Sequence, residues 1–144
     1  IVSGGMPEKG LGRKDMRVLV DTNVLIDYSK GYKGLLEEVL KNCEVGICPV
    51  SVAEFMNDQL LESERDCKAA RDFLNSFECY EIDFEIGELA GEFMRKKRTG
   101  YLGDALVAGV CIKKDLRLMT RNKKHFERIK SLRFYGVEGK RKGK

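Results

Sequence analysis

Residues 17–21, RVLVD, set three consecutive branched apolar side chains between a basic residue and an acid. A short, continuously apolar run of this kind reads as a strand buried on both faces, the signature of a parallel sheet covered by helices. The pattern then repeats outward along the chain. TNVLIDYS (22–29) and KGLLEEVLKN (33–42) read as helices, the second with Leu35, Leu36, Val39 and Leu40 on one face. EVGIC (44–48) reads as a second strand, and VSVAEFMNDQLL (50–61) as a helix after Pro49. SERDCKAARDFLNSF (63–77) is amphipathic, with Cys67, Ala70, Phe73 and Leu74 on its apolar side, and ECYEI (78–82) is a third strand. A helix is expected over 84–97, a small-residue helix over DALVAGVCIKKD (104–115), and a fourth strand at RLMT (117–120). KKHFERI (123–129) reads as a short helix and LRFYGV (132–137) as an edge strand. Strand–helix alternation predicts an α/β fold: a mainly parallel sheet of four to five strands with helices on both faces and right-handed crossovers.

The chain has 144 residues, the length of one ordinary domain. The first 15 residues, IVSGGMPEKGLGRKD, lack periodicity and are expected to be a flexible extension, in part an expression scar or the remnant of a removed tag. The domain is expected over 16–137 and a basic, fraying tail over 138–144. No apolar run approaches the roughly 18 residues of a membrane-spanning helix, and no signal-peptide pattern opens the chain. The five cysteines (43, 48, 67, 79 and 111) are odd in number and include no Cys-x-x-Cys pair, which removes zinc-ribbon spacing and points to reduced thiols in the cytoplasm; a Cys43–Cys48 bridge is the one pairing left open. The single histidine, His125, excludes two-histidine acid/base catalysis and His-rich zinc sites.

Charge is distributed unevenly. Residues 1–112 carry 14 Lys and Arg against 20 Asp and Glu, whereas residues 113–144 carry 13 against 3; the totals leave a net charge of +4. A basic end on an acidic body suits a polyanionic partner, although a solubilising tail has the same composition.

In open parallel sheets, ligands bind beyond the carboxyl ends of the strands. Four polar residues are expected on that rim: Asp21 ending the first strand, Glu54 in the first turn of the helix after the second, Asp104 opening the helix before the fourth, and Asn122 just after the fourth. Each also has a structural explanation. Asp21 and Thr22 suit a helix cap, Ser51-x-x-Glu54 matches a capping box, Asp104 suits a helix start, Asn122 suits a turn, and His125 beside Phe126 reads as a helix-start residue with a packed neighbour rather than a ligand. Together, three converging carboxylates repel one another, and a hard divalent cation such as Mg²⁺ or Mn²⁺ removes that conflict. Such a cation activates water and polarises a phosphoryl oxygen, the requirements of phosphodiester hydrolysis.

Four segments, VLVDTNVLIDYSKG (18–31), PVSVAEF (49–55), GDALVAG (103–109) and TRNKKHFERI (120–129), occur in an order that resembles the PIN-domain nucleases, most closely the small toxins of VapC type. The likeness runs over roughly residues 16–135. It implies an α/β/α sandwich, Mg²⁺- or Mn²⁺-dependent endoribonuclease activity, a homodimer, and an antitoxin whose tail covers the acidic cleft. Carried onto this chain, it assigns Asp21, Glu54 and Asp104 to the metal and Asn122 to the fourth position. There an amide adds no charge, so Asn122 suits orienting a water better than balancing a second ion. Thr22 and Thr120 match hydroxyl positions beside the site, and Asp27, one turn further along, matches a supporting position. The expected reaction leaves 5′-phosphate and 3′-hydroxyl ends.

An acidic site repels RNA unless cations stand nearby. Arg121, Lys123 and Lys124 flank Asn122, and Arg95, Lys96, Lys97 and Arg98 precede the Asp104 motif, so these seven are the expected phosphate contacts. No aromatic-rich strand of the RNA-recognition-motif kind is present, so readout by base stacking is not visible. A haloacid-dehalogenase-type phosphatase needs an acid two positions after Asp21, where Asn23 stands, and a P-loop or dinucleotide enzyme needs a glycine motif that is missing. Two readings within the family remain alternatives to a toxin: a housekeeping nuclease of RNA processing or decay, and a catalytically silent module that binds RNA or protein.

Overall fold

The computed structural model describes residues 16–136; the sequence-based readings for 1–15 and 138–144 lie outside the described residues. Four strands, β1 (Arg17–Val20), β2 (Glu44–Ile47), β3 (Glu78–Cys79) and β4 (Arg117–Met119), form a sheet in the order β3-β2-β1-β4. All three pairings are parallel, with Val18 opposite both Val45 and Arg117. The pleat of β1 divides its side chains between two cores, since successive residues point to opposite faces. Val18 and Val20 join one cluster and Leu19 the other, all three fully buried.

The first cluster lies under four helices, α1 (Thr22–Ser29), α2 (Gly34–Asn42), α3 (Pro49–Asp58) and α4 (Glu64–Asn75). It contains Val24, Leu25, Leu36, Val39, Phe55 and Leu74, and Phe73 links Tyr28, Phe55 and Phe77 through ring contacts at 5.4–5.6 Å. The second lies under α5 (Phe84–Arg95) and α6 (Leu102–Lys114), with Ile86, Val107, Ala108, Val110 and Leu118 inside. Helix α6 is buried almost all round because its residues are small. A Cβ on Gly109 would stand 3.2 Å from both Ile86 Cγ2 and Ile86 O, so the glycine sets how closely α5 approaches. The result is the three-layer α/β/α sandwich. Among the described residues, no helix is long and apolar enough to cross a membrane.

Several elements are shorter than their sequence patterns. Strand β3 is only Glu78–Cys79, at an edge where β2 itself ends, with Tyr80 N adding one further bond to Ile47 O (2.8 Å). Of the expected fifth strand over 132–137, the described residues 132–136 supply a single parallel bridge, Leu118 to Phe134. Residues 123–129 yield one 3-10 turn, Lys123–Phe126, which buries Phe126; Ile129 is buried just beyond it. Helix α3 begins at Pro49, so Ser51 lies inside the helix rather than at its cap, and the capping-box reading of Ser51 and Glu54 is wrong. All five cysteines are free, Cys43 and Cys48 included. Burial pushes the Cys48 thiol up to about 11, which leaves it unreactive.

Helix α5 ends at Arg95, two residues short of the expected 97. Lys97 N donates to Met94 O and Arg98 N to Phe93 O, the paired bonds of a Schellman motif. Lys97 occupies the left-handed position of that motif at φ 56°, where a side chain is strained and glycine is not. Lys97→Gly should therefore raise the unfolding free energy by about 1 kcal/mol, measured by chemical denaturation.

Candidate active site

The strand order reverses beside β1, where the chain leaves for β2 on one side and receives β4 on the other. The crevice at that switch point is where α/β sheets hold ligands. Asp21 sits there because it directly follows β1. Its backbone N continues the ladder to Met119 O (2.9 Å), and its carboxylate caps α1 through Thr22 N (2.9 Å). Capping and cleft-lining are thus one placement, not rival explanations. The opposite Asp21 oxygen, Oδ2, accepts from Thr120 Oγ1 at the end of β4 (2.8 Å).

An open cleft of about 660 Å³ lies over this point and is lined by Asp21, Glu54, Asp104 and Asn122 together. Glu54 faces it from the second turn of α3, where Oε1 accepts from Thr22 Oγ1 (2.6 Å). Thr22 Oγ1 also lies 3.2 Å from Ser51 Oγ, inside the protein. A Cβ on Gly103 would stand 3.2 Å from Glu54 Oε2, a tight contact that would push that carboxylate by a few tenths of an ångström. Asp104 occupies the first turn of α6, and Asn122 donates its backbone N–H to Thr120 Oγ1 (3.0 Å).

Asp21 is 6% exposed, and burial holds its carboxyl above the usual carboxylate range. Hydrogen bonds from Thr120 and Thr22 oppose that rise, and the charge on Glu54 adds to it. Burial likewise raises Asp104; the hydrogen bond from His125 opposes it, while Asp21 and Glu54 reinforce it. Among the described residues, no three His, Cys, Asp or Glu side chains close into a cage around a metal position. Thr22 and His125 each engage one oxygen of Glu54 and Asp104, so the acids form an open rim. That donor set still fits a hard cation. Mg²⁺ keeps several waters and takes one or two carboxylates, and a buried carboxylate beside two others gains most from a compensating charge.

His125 stands in the 3-10 turn beside buried Phe126, as expected, but it also lines the cleft, which its reading as a helix-start residue did not include. Its Nδ1 hydrogen-bonds Asp104 Oδ2 (2.9 Å), and its ring stacks on Tyr101 with centroids 4.8 Å apart. Asn23 was also missed as a site residue. Its Nδ2 lies 3.4 Å from Asp21 Oδ2, and its Oδ1 accepts from Arg121 N (3.2 Å). The signal for both was proximity in sequence to Asp21 and Asn122.

Asp27 does not line the cleft. It accepts two bonds from Arg121, Nε at 2.7 Å and Nη2 at 3.2 Å, a fork that ties α1 to the end of β4 and already neutralises Arg121. Of the other expected phosphate contacts, Lys97, Arg98 and Lys124 line one trough next to the cleft, with Arg128, which the sequence reading did not single out. Lys96 pairs with Glu92 (2.9 Å), Arg95 lines a separate depression between α5 and α6, and Lys123 lies over the Phe134 ring at 5.3 Å. The structure therefore divides the seven expected cations between trough, ion pairs and remote surface.

Comparison with known proteins bears on the same fold. The PIN domain model matches residues 18–132. Ribonuclease VapC1 of Methanocaldococcus jannaschii is 35% identical over 127 residues, spanning 85% of this chain and 88% of that protein. Ribonuclease VapC10 of Mycobacterium tuberculosis is 30% identical over 123 residues, spanning 81% and 90%. Among solved structures, VapBC2 from Rickettsia felis bound to a DNA fragment from its promoter is similar with a TM-score of 0.65 and 25% identity, over 83% of this chain and 98% of that one. VapBC-1 from nontypeable Haemophilus influenzae shares the fold at a TM-score of 0.68 and 20% identity, over 83% and 97%. A family match over most of the chain, joined to a sheet that ends at Asp21, makes this protein a member of the PIN-domain family.

Proposed function

We propose that this protein is a metal-dependent endoribonuclease that works in the cytoplasm as the toxin of a toxin–antitoxin pair. The observation that carries this reading is the convergence of Asp21, Glu54 and Asp104, from three separate segments, on one cleft at the sheet's switch point. The names of the curated relatives, ribonucleases of VapC type, support the activity, and the VapBC toxin–antitoxin complexes among the structural neighbours support a protein antitoxin as partner. Five free thiols suit a reducing compartment. A homodimer is part of the same reading, with exposed Tyr32 and Leu60 marking candidate apolar contacts on the helical face.

Mg²⁺ or Mn²⁺ would be held by Asp21 and Asp104, with Glu54 completing the set. When bound, such an ion lowers the pKa of water and stabilises charge on the phosphate oxygens. The chain's own residues do the rest. Thr22 and Thr120 fix the orientation of Glu54 and Asp21, His125 holds Asp104, and Asn122, which lines the same cleft, would orient a water. The cations of the neighbouring trough draw the phosphate backbone toward an otherwise repulsive rim.

Asp21→Asn and Asp104→Asn should each reduce divalent-dependent RNA cleavage on the order of a hundredfold or more with an unchanged circular dichroism spectrum. Unrestrained expression of wild type, but not of Asp21→Asn, should arrest growth; a wild type that never slows growth removes the toxin role. Thr22→Val, which leaves every acid in place but frees Glu54, should cost about 10- to 100-fold in activity or metal affinity.

Metal-free stability gives a readout independent of cleavage. The folded pKa of Asp21 lies above its unfolded value, so its contribution is fully present below the unfolded pKa and is lost as pH rises through the folded one. Metal-free Asp21→Asn should therefore unfold at a higher temperature than metal-free wild type at neutral pH, and the gap should close as the solution is acidified. Adding Mn²⁺ should stabilise wild type and leave Asp21→Asn nearly unmoved.

A further inference from the structure

Tyr101 stands where the acidic cleft meets the basic trough: Gly100, Tyr101 and His125 line both. It is 58% exposed, and its neighbour Leu102 is 60% exposed, in a protein whose other large apolar side chains are mostly inside. One face of the Tyr101 ring lies on His125 at an interplanar angle of 21°, which leaves the other face to solvent. The ring is not held by chance. Tyr101 is the N-cap residue of α6, where its carbonyl accepts from Ala105 N (3.0 Å), and its own N–H donates to the hydroxyl of buried Thr99 (3.3 Å). The Schellman turn at Lys97 ends α5 just before this short segment.

Four cations, Lys97, Arg98, Lys124 and Arg128, line the trough beyond the ring, and none is ion-paired among the described residues; one acid, Glu127, lies among them. An open aromatic face next to unpaired cations and a carboxylate cleft matches the physics of single-stranded nucleic acid. Bases stack on an aromatic ring whatever their identity, and the cations follow the backbone. A duplex presents no free base face to Tyr101. We propose that Tyr101 is a base-stacking residue: an unpaired nucleotide next to the phosphate held in the cleft lays its base on the open face of Tyr101, and the adjoining backbone follows Lys97, Arg98, Lys124 and Arg128. This rests on the ribonuclease reading for the identity of the strand in the cleft, but the stacking face is testable without cleavage.

The test titrates full-length protein, in EDTA at low salt, into 12-nucleotide single-stranded RNAs carrying 2-aminopurine at successive positions, with a duplex of the same sequence in parallel. Stacking on Tyr101 should quench the fluorophore at one position. Tyr101→Ala should abolish that quench and weaken binding about tenfold, whereas Tyr101→Phe should retain both. Arg98→Ala should lower the log–log salt slope by about 0.7 without removing the quench. Equal binding by wild type and Tyr101→Ala overturns the proposal and gives the exposed ring to a protein partner. Equal affinity for duplex, or no RNA binding by wild type, also overturns it. Cleavage with Mn²⁺ is scored separately. Binding through Tyr101 without cleavage would take down the nuclease reading alone, and cleavage indifferent to Tyr101 would take down the stacking face alone.

Discussion

Everything at the functional end of this protein depends on a charge placed directly after three fully buried strand residues. The apolar residues of β1 exclude water from both faces of the sheet, and the next residue is an acid with almost no solvent of its own. Three groups make that placement tolerable: the first amide of α1, the hydroxyl of Thr120 and the amide of Asn23. They orient the carboxylate without neutralising it. A buried anion satisfied by neutral donors retains its demand for a cation. Glu54 and Asp104 intensify that demand from across the cleft.

The fold was legible because its strongest signal was also its most constrained one. VLV followed by Asp is hard to place except at the centre of a parallel sheet, and the helices around it showed their apolar faces at ordinary spacing. What failed was length. ECYEI and LRFYGV carry strand-like alternation, yet pairing at an edge is decided by how far the neighbouring strand extends, and that is not written in either segment. KKHFERI looked helical from Phe126 and Ile129, whose burial a single tight turn already satisfies.

The site was legible in its acids and opaque in their companions. Asp21, Glu54, Asp104 and Asn122 were expected on one rim from their positions in the elements, and they line one cleft. The partner of Asp104 was not foreseen, because a hydrogen bond between residues 104 and 125 depends on the packing of α6 against the turn after β4. Charge runs were the least informative feature. Arg95, Lys96, Lys97 and Arg98 are adjacent in sequence, yet a helix end and a left-handed residue send them to different surfaces.

The brevity of the outer strands has a bearing on assembly. At one margin of the sheet β3 offers only two residues of ladder, and at the other the stretch around Phe134 already occupies the hydrogen-bonding groups of Leu118. Little main chain is left to template an incoming β-segment, which is how natural sheets discourage runaway polymerisation. Among the described residues, the surface open to another polypeptide is therefore mostly the helical flanks and the rim of the cleft, where recognition works through side chains rather than by extension of the sheet.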